Sequence, residues 1–155
     1  MKKQLNGTWK KTNKIYDLCD GDYTYLKSNW NEKFRLEILR LLRQKKVITK
    51  NFSNLENIHK NVLDKKLLDY DFNSGVNGIT KELYDVDDSF MDVYYSFIKY
   101  LYESLNFNFY FQATPTIRVH CPKAKNEHHY PRYHNDVFYG HPPEELNIWF
   151  SLTQN

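Results

Sequence analysis

Beyond a polar stretch over residues 1–27, apolar residues of this chain recur at helical spacing from about Asn29 to Leu105 and at strand spacing through the last third. A helical layer must therefore meet a strand layer, because each needs a partner for its apolar face. Trp30, Phe34, Ile38 and Leu41 or Leu42 share one face of a helix predicted to start near Asn29. Asn29 and Glu32 form its start signal, and Lys45 and Lys46 suit its negative end. A second helix is expected from Ser53 and Glu56, burying Leu55, Ile58, Val62 and Leu67. Asn73, Gly75, Asn77 and Gly78 mark a loop. A third helix is expected over about 87–105, with Phe90, Tyr94, Phe97, Ile98 and Leu101 as its stripe.

From Phe107 the period becomes two. Phe107, Phe109 and Phe111 alternate with polar neighbours, and Thr116 to His120 continue the pattern beyond Pro115. This predicts one or two strands. Residues 121–131 read as a polar, His-rich loop, and His134 to Phe138 as a short strand. Gly140-His-Pro-Pro143 must be a turn, since neither proline can donate to a ladder. In the final alternation Asn147, Trp149 and Ser151 face one way and Ile148, Phe150 and Leu152 the other. The expected fold class is α+β in a single domain over 1–155, with a mainly helical part over 1–105 and a strand-rich part over 106–155.

Composition narrows the function classes. At 155 residues with 41% hydrophobic and 26% charged side chains, the chain can bury one core and does not read as disordered. A net charge of +3 is mild, and its lysines are interspersed with acids apart from Lys2, Lys3, Lys10, Lys11 and Lys14. That tail reads as a solvated start, so no nucleic-acid partner is expected. No apolar run reaches the ~18–20 residues that span a bilayer, and no secretory stretch is recognised at the start. Cys19 and Cys121 do not make a disulfide framework. The expected setting is cytoplasmic, without membrane contact.

The strongest chemical candidate is His134-Asn135-Asp136. Residues i and i+2 of a strand share a face, so an imidazole and a carboxylate can approach one metal ion. Such a pair suits Fe(II) when a second histidine completes a facial triad that leaves positions open. Alone, a His-x-Asp is a common coincidence, and a simple hydrogen bond between the two side chains is the favoured account of it. Cys121, His128, His129, His134, Asp136 and His141 also form a dense set of zinc-type donors, although their spacing matches no zinc-finger pattern. Neither a phosphate-binding glycine loop nor a Gly-x-Ser-x-Gly elbow is present.

The surrounding order gives His134-x-Asp136 a context. Pro115-Thr-Ile-Arg-Val-His120 comes first, then a loop and the His-x-Asp pair. Tyr139-Gly-His-Pro-Pro143 and Glu145-Leu-Asn-Ile-Trp-Phe-Ser-Leu-Thr153 follow. This run resembles the iron(II)- and 2-oxoglutarate-dependent oxygenases of bacterial carbohydrate and aminoglycoside gene clusters, the streptomycin-biosynthesis oxygenase-like group, which are relatives of the phytanoyl-CoA dioxygenase type. The Gly-His-Pro-Pro turn before a Glu-x-Asn-x-Trp strand is its specific part. The resemblance covers about the last 40 residues, and the helical part fits it only loosely.

The resemblance implies a double-stranded β-helix, a cupin-like jelly roll with helices packed outside. It implies Fe(II) held by His134 and Asp136, 2-oxoglutarate as cosubstrate, and hydroxylation of a sugar, nucleotide-sugar or small polar metabolite. Arg118, His120, Asn147 and His141 are candidates for contacting cosubstrate or substrate; Arg118, His120 and Asn147 serve equally well as barrel-wall residues. Tyr139 reads as packing. In the family the third iron ligand and the basic anchor for 2-oxoglutarate come from a later strand. The barrel is therefore expected to be incomplete here, with a second chain or a missing C-terminal part supplying its remainder. The alternative is a non-catalytic remnant or assembly partner without a complete iron centre.

Overall fold

The computed structural model describes residues 28–71, 73–105, 108–121 and 147–153. Two long helices, α1 (Trp30–Gln44) and α4 (Asp88–Leu105), form its backbone. Trp30, Phe34, Ile38, Leu41 and Leu42 of α1 are all buried, as are Phe90, Tyr94, Phe97 and Leu101 of α4. The two stripes meet through aromatic edges. Trp30 lies 5.6 Å from Phe97 in a T-shaped pair, and Phe34 lies 5.8 Å from both Phe90 and Phe97. Such tilted and edge-on pairs match the positive rim of one ring to the negative face of the other.

Polar contacts set the relative position of the helices. The Arg40 guanidinium grips Asp87 with both arms, Nη1 to Oδ2 at 2.8 Å and Nη2 to Oδ1 at 2.5 Å, and also reaches Glu37 at 2.7 Å. Asp87 meanwhile accepts the Phe90 amide at 3.1 Å and so caps α4. At the other helix, Asn29 occupies the cap position but its side chain makes no cap bond, contrary to the expected Asn-x-x-Glu box. The Trp30 amide faces Ser28 Oγ at 3.5 Å instead.

The end of α1 is a Schellman motif. The Val47 amide bonds the Leu42 carbonyl at 2.8 Å and the Lys46 amide bonds that of Arg43 at 3.1 Å. The geometry needs a left-handed residue, and Lys46 supplies it at φ 57°. Val47 and Ile48 then turn inward and are almost completely buried.

Between the long helices the elements are short. The expected second helix is a 3-10 turn (Leu55–Asn57) running into α2 (Ile58–Asn61). Its cap is Asn54, whose side chain accepts the Asn57 amide at 3.1 Å, rather than Ser53. Glu56 is turned to Arg35 at 3.1 Å. Leu67 sits in a separate 3-10 turn (Lys65–Leu68), packed on the core from outside.

The segment expected as a loop is a small hairpin followed by a helix. β1 (Tyr70–Asp71) pairs antiparallel with β2 (Val76–Asn77), and α3 (Gly78–Glu82) follows at once. Gly75 takes φ 69° in the turn. Gly78 is required by packing: an added Cβ would lie 2.8 Å from the Leu67 Cα. Asn77 caps α3 by accepting the Thr80 amide at 2.9 Å.

The last third lies against this helical layer as extended segments. Ile117, Val119, Phe150 and Leu152 pack on the core and Cys121 is within it, while the intervening Thr116, Arg118, His120, Trp149 and Ser151 are exposed. The period-two alternation therefore holds over 116–121 and at Phe150 and Leu152, but Ile148, expected on the inward face, is exposed. Residues 116–121 and 147–153 are nonetheless not in strands, and the sole sheet among the described residues is β1–β2.

Candidate functional site

Two buried polar side chains govern the backbone around Arg118 and His120. Asn77 Nδ2 donates to the Val119 carbonyl at 2.8 Å, and the Val119 amide donates to Thr80 Oγ1 at 3.0 Å. Both bonds that a neighbouring strand would make to Val119 thus come from the start of α3. Asn77 is 7% exposed and Thr80 1%, so unpaired polar groups there would be costly. Since Val119 faces the core, Arg118 and His120 must face away from it.

Arg118 and His120 accordingly emerge on one exposed face. The Arg118 guanidinium approaches the Tyr84 hydroxyl, with Nη1 at 3.5 Å from the oxygen. Tyr84 lies two residues past the end of α3, so one short stretch of chain carries both the clamp on Val119 and the neighbour of Arg118. Partial burial, and then the positive charge of Arg118, hold the His120 imidazole below its ordinary pKa. Its neutral form is favoured at pH 7, leaving one ring nitrogen as an acceptor. Cys121 is buried behind this face, and desolvation pushes its thiol up, away from the reactive thiolate.

The second extended segment is held in a related way. Phe150 inserts between α1 and α4, 5.2 Å from Phe34 and 4.9 Å from Phe97. The Leu152 carbonyl accepts from Arg35, whose guanidinium is itself held by Glu56 at 3.1 and 3.2 Å. Asn147 and Trp149 point outward, Trp149 being 82% exposed.

His134, Asp136 and His141 lie outside the described residues, as do His128, His129 and Tyr139. Among the described residues no three His, Cys, Asp or Glu side chains gather so as to hold a metal ion. The structure brings Arg118 and His120 onto one face and adds Tyr84 to it. Tyr84, Asn77 and Thr80 had no functional reading in the sequence. Asn77-Gly-Ile-Thr80 does carry the spacing of a helix cap, which is the signal that locates α3. Nothing local announces the long-range bonds to Val119.

No protein-family model, curated protein or solved structure matches the chain. Among the described residues no helix is long and apolar enough to cross a membrane.

Proposed function

We propose that the chain is part of an iron(II)- and 2-oxoglutarate-dependent oxygenase acting on a sugar, nucleotide-sugar or small polar metabolite. The ordered run from Arg118 through His134-x-Asp136 and Gly140-His-Pro-Pro143 to Asn147-x-Trp149 carries this reading. Its flanks support it: Ile117, Val119 and Cys121 in the first extended segment, and Phe150 and Leu152 in the second, turn to the helices, with Arg118, His120, Asn147 and Ser151 turned away. A jelly roll with external helices needs that two-sided pattern where helices cover its sheet.

His134 and Asp136 would hold the metal as an imidazole and a carboxylate from one strand face, a donor set that suits Fe(II). When bound, iron with 2-oxoglutarate supplies dioxygen activation and substrate hydroxylation, releasing succinate and carbon dioxide. Arg118 would bind a carboxylate through its planar donor fork, with the Tyr84 hydroxyl as a second donor beside it. His120, neutral at pH 7, would accept a hydrogen bond or remain without charge next to Arg118. The aromatic layer of α1 and α4 keeps water from the opposite side of these segments.

The test is an anaerobic titration of the chain with Fe(II) and 2-oxoglutarate, following the visible charge-transfer absorption of the chelate. The band should form in the parent chain and disappear in His134→Ala and Asp136→Ala. A parent chain that forms no band, or a band unchanged in both variants, overturns the reading.

A further inference from the structure

We propose that Asn77 and Thr80 are positioning residues: their buried side chains hold both backbone polar groups of Val119, as a partner strand would, and so set the direction in which Arg118 and His120 leave the backbone. The proposal rests on the preceding reading in one respect, that Arg118 is the carboxylate-binding group.

The geometry is specific. A helix cap needs only an acceptor at Asn77, and that need is met by its Oδ1 bond to the Thr80 amide. The Nδ2 group is surplus to capping, yet it is spent on Val119, 42 residues away, with Cys121 Sγ 4.0 Å from it. Thr80 likewise donates its amide to the cap and keeps its hydroxyl for the Val119 amide, 39 residues away. Two capping residues thereby fix both polar groups of one peptide position. Strand register is otherwise fixed by a ladder of many bonds, and a slip of one residue would turn Arg118 inward. Here one doubly held residue, with Ile117, Val119 and Cys121 packed on or in the core, prevents that slip. The position of Tyr84, two residues past the end of α3, couples the Arg118 neighbour to the same anchor.

The test compares Thr80→Val, which removes the acceptor at nearly constant volume, with Thr80→Ser, which keeps it. Asn77→Ser, which keeps the cap but removes the long amide donor, is the second probe should Thr80→Val fail to fold. Hydrogen exchange at the Val119 amide should accelerate roughly tenfold in Thr80→Val, as loss of one buried bond implies, and return toward the parent rate in Thr80→Ser. The His120 ring resonances should move in the same variants and be restored in the same way. Under anaerobic Fe(II), the dissociation constant for 2-oxoglutarate should rise by about the same factor in Thr80→Val. It should show no further rise when Thr80→Val is added to Arg118→Ala.

Unchanged Val119 exchange and unmoved His120 resonances in both Thr80→Val and Asn77→Ser overturn the positioning role. So does an additive loss of 2-oxoglutarate binding in the Thr80→Val, Arg118→Ala double variant. If the parent chain binds no 2-oxoglutarate, the oxygenase reading falls, and positioning is decided by the exchange and ring resonances alone.

Discussion

Phe150→Ala tests whether the segment over 147–153 is built into the helical layer or merely lies beside it. The Phe150 ring meets Phe34 at 5.2 Å and Phe97 at 4.9 Å, and is partly buried. Truncation of a fully buried Phe costs about 3–5 kcal/mol. Incomplete burial lowers the expectation to about 2–3 kcal/mol, in line with ~25 cal/mol per Å² of apolar area removed from water. At this chain length each kcal/mol moves the Tm by about 2–4 °C, so a fall of roughly 5–10 °C should follow. Urea unfolding followed by far-UV circular dichroism gives the free energy directly, and the m-value should hold if the native state stays as compact. A double-mutant cycle with Phe97→Leu isolates the ring pair, for which about 0.5–1.5 kcal/mol of coupling is expected. A loss below about 0.5 kcal/mol, the range of ordinary surface changes, would show that the segment is not docked. Additivity in the cycle would reject the Phe97–Phe150 contact even if the single loss were large.

Two further outcomes follow from the polar contacts. Lys81, with the Asn73 amide and Ser74 hydroxyl, holds the Asp71 carboxyl at about 2, and Arg40 holds Asp87 below its ordinary value. Both are depressed acids, so their contribution is present above the unfolded pKa near ~4 and is lost as pH falls toward about 2. The urea midpoint should drop over that window, and the drop should be smaller in an Asp71→Asn, Asp87→Asn double variant; an equal drop in both proteins would contradict the assignment. Lys46 at φ 57° occupies the position that a Schellman motif usually gives to glycine. Lys46→Gly should therefore stabilise the chain by about 0.5–1 kcal/mol in the same assay, and a loss would show that the Lys46 side chain contributes more than its backbone costs.

The long helices were legible because burial enforces periodicity over many residues. Phe34, Ile38, Phe90 and Phe97 could not all be buried on any other face. The region between them was less so. A 3-10 turn at Leu55–Asn57, a four-residue α2 and two-residue strands are too short to display a period. Their boundaries follow instead from single side-chain bonds, such as Asn54 to the Asn57 amide. The loop reading of Asn77-Gly78 failed because the residues favoured in turns also cap helices. At the candidate site, alternation correctly put Arg118 and His120 on the same face. It could not reveal Tyr84, which reaches Arg118 through tertiary folding and shares no local pattern with it.

A ladder and a clamp hold an extended segment in different ways, and the difference bears on order of assembly. A ladder forms between two segments that are each extended already. The clamp on Val119 exists only once Asn77 and Thr80 have been set in place by the cap of α3, and the bond from Arg35 to Leu152 only once α1 has formed around Arg35. In both cases the segment is oriented by side chains that the helical layer holds in place. Helices form locally and fast, whereas the Val119 contacts span about 40 residues of chain and require loop closure first. The polar face bearing Arg118 and His120 thus rests on the helical scaffold. A lesion in α3 would reach it through Val119, without touching any residue on the face itself.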